Sequence, residues 1–118
     1  MWRPAGSERG VPHSVVDYEV TERTEDFVSL ILRGELTGER PVEHFKRDLE
    51  RHYVDDGVRR IQVEMQDLTA LSLEGCAVLL ELYEESHRRG KDFVLVHPTG
   101  QVRDKLAMTG LLKPLGTD

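Results

Sequence analysis

Apolar and polar positions alternate from the first hydrophobic run. Val16, Tyr18 and Val20 fall on one side of the chain, Asp17 and Glu19 on the other, and this period of two predicts a strand over Val15–Thr21. Thr24-Glu25-Asp26 reads as a turn. Phe27–Arg33 is a second predicted strand, with Val28, Leu30 and Leu32 on one face. The short link makes the two an antiparallel hairpin. The pattern breaks at Gly34-Glu35-Leu36-Thr37-Gly38. Beyond it the period changes: Val42, Phe45, Leu49 and Tyr53 lie on one helical stripe, and Pro41 suits a first helical turn. Asp55-Asp56-Gly57 ends that helix. Val58–Met65 is a third strand, Ile61, Val63 and Met65 alternating with Gln62 and Glu64. A second helix is predicted over 73–89, with the stripe Cys76, Leu79, Leu80 and Tyr83 and with Arg88, Arg89 and Gly90 as C-terminal signals. Phe93–His97 is a fourth strand. Pro98-Thr99-Gly100 turns into a third helix, 100–109, carrying Val102 and Leu106, and Gly110 is placed to cap it with Leu111 as the accompanying apolar contact.

The element order is therefore β-β-α-β-α-β-α. Strand–helix alternation implies parallel pairing with right-handed crossovers. A parallel strand covered on both faces is apolar throughout, whereas Ile61–Met65 alternates. The expected architecture is an α/β fold with a mixed sheet, helices mainly on one face and a partly wet opposite face. Residues 1–14, rich in Gly, Pro and charge, read as a flexible N-terminal tail, and 15–118 as a single domain. No internal repeat is visible.

Composition narrows the function. The chain has 118 residues, the size of one domain. Charged residues are 32% and apolar residues 38%, with a net charge of −6. That balance disfavours nucleic acid and anionic membranes, which need a cationic footprint, and suits a partner with a basic face. The one cysteine, Cys76, excludes an intrachain disulfide. The five histidines stand at no metal-ligand spacing, so neither a metal nor another cofactor is expected. No apolar run approaches the ~18 residues of a membrane helix, and Arg3 and Arg9 are not followed by the apolar stretch of a secretory signal. A cytoplasmic setting without membrane insertion follows as the expectation.

Catalytic arrangements find little support. Gly34-x-x-x-Gly38 lacks the Lys-Ser/Thr of a phosphate-cradling loop, and neither Gly-x-Gly-x-x-Gly nor Gly-x-Ser-x-Gly occurs. Glu81, Glu84 and Glu85 read as a solvated helix face. Cys76 starts a helix, where the dipole could activate it, but it also belongs to the apolar stripe and reads as a buried, inert thiol. His87 and His97 read as partly exposed polar positions. No nucleophile–base pair emerges, so no enzymatic activity is expected.

Four stretches, in order, resemble a known family. Asp67-Leu-Thr-Ala-Leu-Ser-Leu-Glu-Gly-Cys-Ala-Val-Leu-Leu80 resembles the signature of the STAS domain as found in bacterial anti-sigma factor antagonists. Leu32-Arg-Gly-Glu-Leu36 is similar to its strand-to-loop motif, His97-Pro-Thr-Gly-Gln-Val-Arg-Asp-Lys-Leu106 to its last strand-to-helix turn, and Met108-Thr-Gly-Leu111 to its closing motif. The resemblance spans about residues 15–115. It implies a STAS-like mixed sheet of four to five strands. It also implies partner switching: an unphosphorylated antagonist binds an anti-sigma factor, often itself a serine-kinase-like ATPase, and phosphorylation breaks that complex.

The family's junction motif reads Asp-Ser-Ser-Gly, its first serine (or a threonine there) taking the phosphate. Here Gly75 matches the glycine, so Ser72 falls on the aspartate, Leu73 on the phosphoacceptor and Glu74 on the second serine. In the loop after Leu36 the family commonly has an aspartate where this chain has Thr37. Leucine accepts no phosphate. Ser72 is either a displaced acceptor or a helix N-cap, where its oxygen takes an orphan backbone N–H. The resemblance implies a docking surface from Glu35, Leu36, Thr37 and Gly38 together with Ser72, Leu73, Glu74 and Gly75, with an anti-sigma factor as partner. The alternative it implies is a STAS subunit or ligand-sensing module of a transporter or lipid-handling ABC system.

Overall fold

The computed structural model describes residues 16–54 and 57–113. The expected tail at 1–14 and the helix-ending Asp55-Asp56 lie outside them. The chain runs through β1 (Val16–Arg23), β2 (Phe27–Leu36), α1 (Glu39–Leu49) with a π-helical turn at Glu50–Val54, β3 (Arg60–Leu71), α2 (Leu73–Arg88), β4 (Asp92–Val96) and α3 (Gly100–Met108). The strands form one sheet in the order β1-β2-β3-β4. β1 is antiparallel to β2, whereas β2, β3 and β4 are parallel. This is the mixed α/β fold that the alternation implied, with four strands and three helices.

Val28, Leu30 and Leu32 of β2, Ile61, Val63 and Met65 of β3, and Phe93 and Leu95 of β4 are buried in one core. Val42, Phe45 and Leu49 of α1, Cys76, Leu79 and Leu82 of α2, and Val102 and Leu106 of α3 enter the same core. Burying the side chain of each such Val, Leu, Ile or Phe contributes roughly 1.5–3 kcal/mol. The positions between them on β3, Gln62, Glu64 and Gln66, keep contact with water, whereas Ser29 and Ile31 between the core residues of β2 are buried. On that wet face Glu64 gathers the sheet. It accepts from Thr21 Oγ1 of β1 (2.7 Å), Ser29 Oγ of β2 (2.8 Å) and Gln66 Nε2 (3.2 Å). Burial alone would push the Glu64 carboxyl up, but these hydrogen bonds outweigh it and hold it below its ordinary value.

Four local departures from the periodic reading have physical causes. β2 continues through Gly34 to Leu36 instead of stopping at Arg33, and β3 runs six residues past Met65. The β2–β3 register slips between Ile31 and Arg33 and again between Gly34 and Glu35. Each slip puts an extra residue on β3, so its buried positions Met65, Leu68 and Leu71 come three apart, and the period of two is lost. α2 buries Val78, Leu82 and Ser86 beside Cys76 and Leu79, while Leu80 and Tyr83 of the expected stripe are only partly buried. The helix packs on α1, α3 and β4 together, so its buried face is wider than one stripe. Finally, the π turn adds a residue to the last turn after α1, so that adjacent Tyr53 and Val54 are both buried.

Candidate partner-binding surface

Parallel pairing brings the ends of two strands together. Leu36 at the end of β2 is the register partner of Leu71 at the end of β3. The chain leaves β2 into Thr37-Gly38 and α1, and leaves β3 into Ser72 and α2. The two expected stretches, Glu35–Gly38 and Ser72–Gly75, therefore lie side by side, and the Ser72 N–H donates to the Leu36 carbonyl (3.2 Å). Ser72 is the N-cap of α2: its Oγ accepts from the Gly75 N–H (3.0 Å) and donates to the Leu36 carbonyl (3.4 Å). Such a cap stabilises a helix by about 1 kcal/mol.

Gly75 has a steric reason. A Cβ there would stand 2.7 Å from the Leu36 carbonyl oxygen and 2.8 Å from Leu71 Cδ1, so only glycine lets α2 start this close to β2. Gly38, at φ +86°, sits in a backbone region that suits glycine.

The eight expected contact residues thus divide. Glu35, Gly38, Leu73 and Glu74 are exposed, and Thr37 and Ser72 half-buried. Leu36 is 0% exposed and belongs to the core, and Gly75 is buried against it. In this structure Leu36 and Gly75 lie beneath the exposed residues and set their position. Leu73 is 64% exposed, the first residue of α2 and outside the packed stripe.

α3 flanks the same junction. Gln101 near its start accepts from the Leu71 N–H (3.0 Å) and donates to the Leu71 carbonyl (3.4 Å), taking the place of a neighbouring strand where β4 has already ended. Just past its other end, the Thr109 hydroxyl lies 4.0 Å from Cys76 Sγ. Burial pushes the Cys76 thiol up, against the smaller opposing pull of Thr109 and Lys105. Neighbouring Met108 is 80% exposed. Met108 and Gln101 fall within the family-like stretches of the sequence but are not among its expected contact residues. Met108 carried one signal: it is apolar yet lies off the helical stripe of Val102 and Leu106.

A family model described as the STAS domain matches residues 18–117. The chain belongs to the STAS domain family. A comparison with curated protein sequences gives no match. Solved structures do match this STAS domain. The anti-sigma factor antagonist SpoIIAA in its unphosphorylated form aligns with a TM-score of 0.73 at 21% identity, covering 86% of this chain and 85% of that one. An anti-sigma factor antagonist candidate from Thermotoga maritima gives 0.67 at 18%, covering 80% and 79%. The murine anion transporter Slc26a9 gives 0.67 at 14%, covering 81% of this chain and 16% of that one. At these identities the likeness is one of fold.

Among the described residues no group of three His, Cys, Asp or Glu side chains is arranged to hold a metal ion. The surface pairs no nucleophile with a base. His87 stacks on Tyr83 (6.0 Å between rings), and His97 stands exposed at the end of β4 with φ 60°. No described helix is long and apolar enough to cross a membrane. Exposed Glu35, Glu39 and Glu74 ring the junction, and none makes an ion pair among the described residues. Glu39 and Glu74 also sit in the first turns of α1 and α2, where a carboxylate complements the helix dipole.

Proposed function

We propose that this STAS domain, residues 15–118 acting as one unit, is a cytoplasmic protein-interaction module that binds an anti-sigma factor and so regulates transcription without catalysis of its own. The observation that carries the reading is the joint end of β2 and β3, where Glu35, Thr37, Gly38, Ser72, Leu73 and Glu74 form one surface around an exposed leucine. An apolar side chain in water at the start of a helix gains ~1–3 kcal/mol when a partner buries it. The structurally similar SpoIIAA, described as an anti-sigma factor antagonist, has been solved in both unphosphorylated and phosphorylated forms.

The switch itself is altered. Leu73 occupies the family's acceptor position, and the Ser72 hydroxyl is already engaged as cap. A phosphate on Ser72 would bring −1.5 to −2 charges and displace that cap. Glu74 brings one charge, one position away, and imitates the phosphorylated state poorly. The reading is therefore a binder that stays competent and is controlled by abundance or another input. Binding to the host's purified anti-sigma factors tests it: one of the kinase-like ATPases should form a stable complex, and none doing so overturns the proposal. Adding ATP should leave Leu71–Cys76 unphosphorylated and the complex intact. A phosphopeptide at Ser72, with dissociation that Ser72→Ala prevents, would show a displaced acceptor. Binding that appears only in Glu74→Ala would show a locked-off antagonist.

Leucine at the acceptor position favours one second reading, a STAS subunit or ligand-sensing module of a transporter or lipid-handling ABC system. Co-purification with transporter subunits in place of an anti-sigma factor would select it.

A further inference from the structure

We propose that the docking surface extends from α2 onto α3, that Leu73 and Met108 are its two apolar anchors, and that it fits a partner surface with an apolar centre and a basic flank. The inference rests on the partner-binding reading and goes beyond the junction residues on which that reading stands. Among the described residues, Leu73 and Met108 are the two large apolar side chains exposed to water. Both stand on the same side of the fold: α3 is tied to the junction at its start by Gln101 on Leu71, and just past its end by Thr109 beside Cys76. On α2 Leu73 lies about 60° around the helix from Cys76, the residue beside Thr109 of the α3 end. Single exposed apolar residues are ordinary on a protein surface, but here two flank one junction and the rest of the described surface has none of their size.

Charge determines what can cover this surface. On the α1 and α2 side stand Glu35, Glu39 and Glu74 without ion pairs among the described residues, next to one exposed cation, Arg40. On the α3 side stand Arg103 and Lys105 with Asp104. The cations Arg59, Arg60, Arg88, Arg89 and Lys91 cluster at the opposite end of the sheet, where β3 and β4 begin and α2 ends. A partner approaching the junction therefore meets an acidic flank on one side only. A protein with Lys or Arg along that flank is attracted and oriented, whereas an acidic peptide or anionic lipid is repelled.

The test measures affinity and association rate against the anti-sigma factor that binds the unaltered chain. Met108→Asp and Leu73→Asp should each weaken binding tenfold or more, while Met108→Leu binds as the unaltered chain does. Both sites are exposed, so the melting temperature of each variant should stay in place. The combined change Glu35→Gln, Glu39→Gln, Glu74→Gln should slow association and flatten its dependence on ionic strength. Met108→Asp binding within twofold of the unaltered chain overturns the extension while leaving partner binding standing. Unchanged association kinetics in the triple variant overturn the basic flank. Failure of the unaltered chain to bind any anti-sigma factor removes the functional reading, and this inference with it.

Discussion

At Ser72 a hydroxyl accepts from one backbone group and donates to another, and both belong to the frame that starts α2. Ser72→Ala is expected to lower unfolding free energy by about 1 kcal/mol, whereas Ser72→Asp, whose carboxylate can cap the same N–H, should stay close to the native value. Urea denaturation with an unchanged slope would measure both. Three residues on, Gly75→Ala should cost more, roughly 1–3 kcal/mol, because its methyl meets the Leu36 carbonyl and Leu71 at under 3 Å. Leu73→Asp should change stability by less than about 0.5 kcal/mol, as expected of an exposed position. These neighbours thus differ in what they do for the fold: Ser72 caps, Gly75 permits a close approach and Leu73 stands in water. The junction was legible in the sequence because a strand pattern stops where a capping residue and a glycine follow. The division of labour was not, since burial of Leu36 depends on where β2 ends, and β2 ends three residues later than its alternation does.

Among the elements, those with strict periodicity were the legible ones. Val42, Phe45, Leu49 and Tyr53 are all buried as their spacing implied. The second half of β3 was hidden because two register slips break its alternation, and the π turn after Leu49 leaves no periodic mark. That turn lies beside a second anchor between α1 and the sheet. The Tyr18 hydroxyl of β1 donates a hydrogen bond to Asp48, which also faces His52 Nε2 at 3.5 Å. Tyr18 packs edge-on against Phe45, their ring centres 6.3 Å apart. Removing the hydroxyl in Tyr18→Phe should cost on the order of 2 kcal/mol, since the lost bond involves a charged, largely buried acceptor. Burial, followed by the Asp48 carboxylate, raises the Tyr18 pKa far above that of free tyrosine. A raised folded-state value means a contribution complete below the unfolded value near 10 and lost as pH climbs past it. Spectrophotometric titration should find Tyr18 still protonated while exposed tyrosine ionises, and stability should fall above about pH 10. The fall should be smaller in Tyr18→Phe.

Across the whole molecule, one sheet face carries the core and the other carries a hydrogen-bonded carboxylate that joins β1, β2 and β3. Glu64 is depressed on balance, so its contribution is present above the unfolded value near 4.3 and disappears as pH falls below it. Acid unfolding of Glu64→Gln, starting from a lower stability at neutral pH, should therefore vary less between pH 5 and 3 than that of the native chain. The two edges of β3 also differ in how far they are paired: β2 follows it to Leu71, β4 only to Glu64. β3 has 12 residues and β4 has 5, so the last stretch of β3 projects beyond its neighbour on that side. The side-chain amide of Gln101 occupies the gap at Leu71. Because that amide comes from a helix and not from a strand, the Leu71 N–H exchanges with solvent whenever α3 lifts, even while the rest of the sheet stays closed. Hydrogen–deuterium exchange at this one amide should run faster than at Val63, and faster again in Gln101→Ala. Its rate therefore reads out the seating of α3 against the start of α2.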